Sequence, residues 1–344
     1  MSDFLALPLA ERRLAFGEAA QRLQVAPVML EKDFWVCWLL ERLFSGGLPG
    51  DDAAKLVFKG GTSLSKVFGV IDRFSEDIDL SLPPELTGID ENIFETLHSR
   101  TRRDAAMRDM QEKCLHYTRD QLAPSLEQAI RSRLGKPPAG ARWLEFEEDT
   151  AARSPVLLFQ YPGVLASGFD YLKRTVKMEF GSLTDQRPLG LHPVKPWIAD
   201  AFPAAFTDWK CDVVALELER TFWEKATILH AEFHRPAALV MPDRYARHYA
   251  DMASLLRHPA GLDNLMNAAL AKRVVEWKAK YFARSWARYD LARPGSFRLV
   301  PPPERIAPLQ ADYQRMRPMF VSEPPAFQTL LGQLADAERL LNQA

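Results

Sequence analysis

Cysteine is scarce: three thiols in 344 residues, Cys37, Cys114 and Cys211, far apart and without a C-x-x-C pair. This excludes a disulfide framework and a thiolate zinc site and fits a reducing compartment, with the three side chains acting as small buried hydrophobes. Net charge is also lacking. Forty-four Lys+Arg stand against 45 Asp+Glu, for a balance of −1, so any polyelectrolyte or membrane partner must be met by a local patch. No apolar run approaches the roughly 18 residues of a membrane span, and Met1-Ser2-Asp3-Phe4 offers no basic region leading into an apolar core. The expected setting is the cytoplasm, with no membrane partner. Repeats and low-complexity tracts are absent too. What is present is an ordinary globular composition, 47% hydrophobic and 26% charged, with length for about two domains that each bury a core.

Proline and glycine clusters divide the chain. Apolar residues at helical spacing cover 9–24 and 28–44, and Gly46-Gly47 with Pro49-Gly50 closes the second helix. A short strand over 55–58 runs into Gly60-Gly61, after which Thr62 or Ser63 caps a helix to about Val70. Residues 75–82 alternate as a strand stopped by Pro83-Pro84. A helical stretch over 92–134 ends at Gly135, strands follow over 155–160 and 171–180 with Ser167-Gly168 between them, and 212–216 adds another before a helix over 219–232. The remainder reads as helix. The expected class is α+β with a mixed sheet, organised as N-terminal helices packing on the core (1–50), an α+β domain (51–205) and a helical C-terminal domain (206–344).

The chemistry concentrates in Phe58-Lys59-Gly60-Gly61-Thr62-Ser63-Leu64 and Arg73-Phe74-Ser75-Glu76-Asp77-Ile78-Asp79-Leu80. On a strand, Ile78 and Leu80 face a core while Asp77 and Asp79 share the other face, about 6.5–7 Å apart. Two carboxylates so close repel each other unless a cation neutralises them. Mg²⁺ takes a few carboxylate oxygens when substrate phosphates supply the rest. The glycine turn lets backbone N–H groups approach phosphate oxygens. Either half alone is more often a solvated face or a plain turn; together they form one strand, turn, helix, strand unit that brings cradle and carboxylates together. Glu179, in Thr175-Val176-Lys177-Met178-Glu179-Phe180, is the third acid if that strand pairs beside 77–82, and otherwise an exposed sheet residue.

These runs, with Glu31-Lys-Asp-Phe-Trp-Val36 upstream and the segments 218–230, 245–251 and 312–320 downstream, resemble the nucleotidyltransferase motifs of the AbiEii/AbiGii toxin family of type IV toxin–antitoxin and abortive-infection systems. The resemblance implies a polymerase-β-like nucleotidyltransferase core, a divalent cation (Mg²⁺ or Mn²⁺) and a nucleoside triphosphate donor. Position by position it assigns Gly61, Thr62 and Ser63, with Gly60, to the nucleotide turn. Ser75, Asp77 and Asp79 fall in the metal motif, Lys225 in the lysine motif and Asp251 in the last acidic motif. Arg220, five residues before Lys225 on one expected helix, is a second candidate for the triphosphate. Asp251 could equally form an intrahelical pair with Arg247, and Arg73 either touches phosphate or pairs with a carboxylate.

An RNA acceptor, the tRNA 3′ end foremost, is the expectation that follows for substrate, with a cognate antitoxin encoded alongside. Between residues 271 and 317 lie eleven Lys/Arg against four acids, interleaved with Trp277, Tyr281, Phe282 and Trp286. That suits phosphate contact and base stacking, or else an amphipathic helix whose aromatics pack inward. Transfer onto a protein, a phosphotransferase variant and a non-catalytic nucleotide-binding regulator are the alternatives.

Overall fold

Alternating apolar residues and glycine turns build the first part of the chain around a sheet, and helical periodicity builds the rest. The computed structural model describes residues 1–45, 55–87, 97, 99–150, 152–165, 173–204, 206 and 209–343. The expected stops at 46–50, the helix start at 92 and the connection at 167–168 lie outside them. Two units divide the chain: Met1–Val67 with Ser75–Leu216, and Phe68–Phe74 with Glu217–Ala344.

The first unit runs α1 (Ser2–Ala6), α2 (Leu9–Leu23), α3 (Pro27–Phe44), β1 (Val57–Lys59), α4 (Gly60–Lys66), β2 (Ile78–Ser81), α5 (Arg100–Tyr117), α6 (Ala123–Leu134), β3 (Leu144–Asp149), β4 (Ser154–Gln160), β5 (Thr175–Gly181), β6 (Leu189–Val194), α7 (Ile198–Ala201) and β7 (Cys211–Leu216). The seven strands form one sheet in the order β3-β4-β5-β2-β1-β7-β6. It is mixed: β1 pairs antiparallel with β2 and parallel with β7, and β2 pairs parallel with β5. Helix α3 starts with Pro27 in its first turn and is buried along nearly its whole length. Trp35 and Trp38 lie 5.8 Å from the Phe159 ring of β4, and Phe159 pairs with Val176 of β5. That apolar face, with Met178 and Phe180 and with Ile78 and Leu80 in register beside them, is the core. The opposite face is left for Asp79 and Glu179.

Two strands escaped the sequence reading, β3 and β6. Both are edge strands. Leu-Glu-Phe-Glu-Glu-Asp of β3 is half exposed, so charge masks the alternation, and Pro193 in β6 belongs on an edge where no ladder donor is needed. The helix expected from Thr62 to Val70 is instead α4, earlier and shorter, ending at Lys66 with Gly69 at a φ of +60° three residues on.

The second unit holds α8 (Leu218–Phe233), α9 (Ala246–Arg257), α10 (Gly261–Leu265), α11 (Ala268–Tyr281), α12 (Pro303–Arg315) and α13 (Phe327–Gln343). The segment Phe68–Phe74 joins it through backbone bonds: Phe74 N–H donates to the Met319 carbonyl at 2.6 Å and Val321 N–H to the Asp72 carbonyl at 3.1 Å. All three cysteines are free and buried. Among the described residues no helix is long and apolar enough to cross a membrane.

Candidate active site

In the first unit the parallel ladder of β2 and β5 sets Asp79 directly opposite Glu179, and the antiparallel ladder sets Lys59 opposite Asp79. Asp79 also leans over the glycine turn. Gly60 has a φ of +84°, and a Cβ added there would lie 2.8 Å from Asp79 Cγ and collide with its Oδ2. Thr62 Oγ1 reaches Ser75 Oγ at 2.9 Å and also donates to the Asp77 carbonyl, while Ser63 Oγ donates to the Gly60 carbonyl at 2.9 Å. Thr62 thus ties the turn to Ser75 and the Asp77 backbone, and Asp79 packs over Gly60.

The Asp77 carboxyl is pushed up to about 6 by burial, and then by the like charges of Glu76, Asp79 and Glu179, with Lys177 opposing. Carboxylates crowded in this way are stabilised by a hard divalent cation, so Asp77 and Asp79 fit the metal that the motif implies. Glu179 sits less simply. Its carboxylate is ion-paired with Lys177, two residues back on the same strand face, and among the described residues no three acids, histidines or cysteines form a ready cage.

Substituting Gly60→Ala places a methyl group against the Asp79 carboxylate in a backbone conformation that L-residues avoid. We expect a loss of about 1–3 kcal/mol in stability and of roughly 100-fold in transfer rate. Gly69→Ala, with positive φ but nothing within 4 Å, should show the strain alone. Urea midpoints and rates of the two variants side by side check this; equal activity in both would remove Gly60 from the site.

In the second unit, Asp251 on α9 receives two cations. Arg73 Nε and Nη2 donate to its two oxygens at 2.7 and 2.8 Å, and Lys225 Nζ to Oδ2 at 2.7 Å. All three are buried. Burial would raise the Asp251 carboxyl, but Arg73 and Lys225 overcome it and hold the group well below the usual carboxylate range. The Lys225 ammonium is pushed down by burial first, with Asp251 opposing and Arg73 reinforcing. The directions agree, since burial lowers Lys225 and its one anion, Asp251, is shared with Arg73. His248, 3.5 Å from Lys225, is kept neutral by burial and by that lysine. Beside the cluster opens a cavity of about 330 Å³ lined by Arg73, Asp251, Ser254, Arg257 and Tyr313. Arg247, the alternative partner for Asp251, is displaced by cations remote in sequence.

Arg220 does not join this cluster. Its Nε and Nη2 donate to Glu224 at 3.1 and 2.7 Å, and Lys278 closes on the same carboxylate. Five residues along a helix is a rotation of about 140° between side chains, which separates the environments of Arg220 and Lys225. Burial alone would raise Glu224; Lys278 and Arg220 instead hold it down at about 2.

A histidine that the sequence did not single out is fixed in α8. The Arg298 N–H donates to His230 Nδ1 at 3.1 Å, so the ring proton is on Nε2, facing the Arg288 carbonyl at 3.0 Å. Burial, aided by His234 and Arg298 against the Arg288 carbonyl, pushes its pKa from 6.5 down to about 4. The unfolded chain thus binds a proton between those values that the native state refuses. Stability should be complete above pH 6.5 and fall as pH drops towards 4, by on the order of 3 kcal/mol from this group. Urea titrations at several pH values should show a shallower acid loss in His230→Gln than in the parent; identical slopes would refute the assignment.

The basic segment is less basic in place than in sequence. Lys278 pairs with Glu224, Arg298 with Glu338 and Arg317 with Glu323, all acids from outside the segment. Arg305 is buried against the carbonyls of Pro236 and Leu239. Lys272, Arg273, Lys280, Arg284 and Arg293 are exposed. Tyr281 is buried with Trp277 against it, Trp286 lies under Arg235, and Phe282 is 39% exposed. Of the four aromatics Tyr281 is thus buried, Trp277 and Trp286 are half-buried and Phe282 is exposed.

Asp79 on a central strand thus lies over a glycine turn that opens a helix, with Asp77 one residue before the strand. The profile of the family described as nucleotidyl transferase AbiEii toxin, type IV toxin–antitoxin system, matches residues 43–333. The chain belongs to that family: it is a nucleotidyltransferase toxin whose class implies a nucleoside triphosphate donor and a cognate antitoxin. Among solved structures it is similar to MenT4, a nucleotidyltransferase toxin from Mycobacterium tuberculosis H37Rv, at 17% identity over 98% of this chain and 90% of that one, with a TM-score of 0.49. It is similar also to JHP933 from Helicobacter pylori, at 15% identity over 90% of this chain and 92% of that one, with a TM-score of 0.41. No curated protein matches the chain.

Proposed function

We propose that the protein transfers a nucleoside monophosphate from a nucleoside triphosphate to an RNA 3′ hydroxyl, a tRNA end foremost, with Mg²⁺ or Mn²⁺ held by Asp77 and Asp79. The observation that supports this reading is the Asp79 carboxylate lying over Gly60, beside a turn whose glycines suit the close approach of phosphate. Bound there, the cation supplies Lewis-acid polarisation of the reacting phosphoryl group. Gly60, Gly61, Thr62 and Ser63 seat the triphosphate, and Ser75 braces Thr62. The acceptor hydroxyl attacks the α-phosphorus in line, and its proton passes to a carboxylate of the same sheet face, Asp79 or Glu179. From its place in the lysine motif, Lys225 is the proposed cation for the charge of the triphosphate and of the departing pyrophosphate. This reading leaves Arg220 out, since Glu224 occupies it.

The RNA acceptor is supported by Lys272, Arg273, Lys280, Arg284 and Arg293, which remain exposed on or after α11. The test is incubation of purified protein with Mg²⁺ or Mn²⁺, each α-labelled nucleoside triphosphate in turn, and total tRNA. Label in the RNA band is expected. Label in a protein band would move the acceptor to protein, and absence of label from both with every nucleotide would overturn the reading.

A further inference from the structure

Helix α3 carries Glu31, Lys32 and Asp33 in succession, and each is no more than 3% exposed. Successive helix residues point about 100° apart, so separate segments must satisfy them. Glu31 Oε1 accepts from the Val164 N–H at 2.5 Å. Lys32 Nζ donates to Glu76 Oε2 at 2.5 Å and to the Lys173 carbonyl at 3.1 Å. Asp33 accepts from Lys66 Nζ at 2.6 Å through Oδ1 and from the Trp197 N–H at 2.6 Å through Oδ2. The Lys66 ammonium also sits 5.0 Å from the Trp197 ring centroid.

Buried ion pairs add little net stability over an apolar pair of the same volume, but they specify which segments meet. The identity of the partners therefore matters. Glu76 immediately precedes Asp77, and Lys66 is the last residue of α4, whose first turn is Gly60–Ser63. Between them, Thr62 is tied to Ser75 and Asp77. Adjacent residues of α3 thus hold the lead-in to the acidic strand and the far end of the glycine-turn helix.

We propose that Lys32 and Asp33 are positioning residues for nucleotidyl transfer: Lys32, through Glu76, sets Asp77 and the start of the strand bearing Asp79, and Asp33, through Lys66, sets the turn Gly60–Ser63. The proposal rests on the transfer reading of that strand and turn.

Three full-length variants test it: Lys32→Met, Lys32→Met with Glu76→Leu, and Asp33→Asn. Each is measured for melting temperature, hydrogen exchange over 60–66 and 75–81, and kcat and KM for the nucleotide. Lys32→Met should speed exchange over 75–81 by about tenfold and lower kcat about 10- to 100-fold at nearly unchanged KM. Asp33→Asn should act in the same way on 60–66. The double variant, with its apolar pair, should melt like the parent while kcat stays about tenfold or more below it, which a purely structural role would not produce. A double variant with parental melting and parental kcat would overturn the proposal, as would unchanged exchange in both segments. Failure of the parent to transfer nucleotide to any acceptor would instead strike the reading of the site, and the exchange measurements would still decide the clamp.

Discussion

Asp79→Asn should lower nucleotidyl transfer by about 10³-fold or more, while the folded state becomes slightly more stable. The substitution keeps the shape that lies over Gly60 but removes one negative charge from a crowded group. Asp77 is raised to about 6 by its burial and by the charges of Glu76, Asp79 and Glu179. Removing one of them relieves repulsion, by up to about 1 kcal/mol. The same charge is what binds a divalent cation, and losing one charged group that stabilises a transition state typically costs two to three orders of magnitude in rate. Opposite signs in urea midpoint and in rate mark a functional carboxylate. Transfer within tenfold of the parent would remove Asp79 from the site.

The second large effect separates Lys225 from Asp251. Asp251→Asn leaves Arg73 and Lys225 buried without their shared anion, and breaking a buried pair in this way costs about 3–5 kcal/mol. Lys225→Met leaves Asp251 with both Arg73 bonds, so it should be the milder change to stability. On the proposal that the lysine motif serves the triphosphate, its effect on transfer should be the larger per folded molecule, roughly 100-fold. Urea denaturation and rates normalised to folded protein check both variants. Full activity per folded Lys225→Met molecule would make the cluster a structural one.

The carboxylate strand was legible because its chemistry is local. The strand expected over 75–82 is only Ile78–Ser81, so Asp77 lies one residue before it, while Glu179 joins Asp79 because the alternation of β5 already placed it opposite Met178 and Phe180. Gly60 also announced a special conformation, although not that the Asp79 side chain fills the space a Cβ would take. Edge strand β3 was hidden by the charge on its solvent side, and β6 by Pro193 and by leucines that face solvent. The aromatic and basic stretch of α11 was ambiguous from sequence, and burial resolved it: Tyr281 turns inward, and Lys278 goes to Glu224. Arg220 was misplaced because spacing along a helix shows which residues are near one another but not which face meets which partner.

By itself, then, the sequence determined the α+β class, the strand, turn and strand that carry the acids, and the family to which those motifs belong. The tertiary structure decided the ion pairs. With 44 basic and 45 acidic side chains in balance, nearly every cation has a plausible anion nearby in the chain, as Asp251 has Arg247. Arg73 reaches Asp251 across 178 positions and Lys32 reaches Glu76 across 44. Those choices are made by burial, because a charge taken out of water must find its partner wherever packing has excluded the solvent.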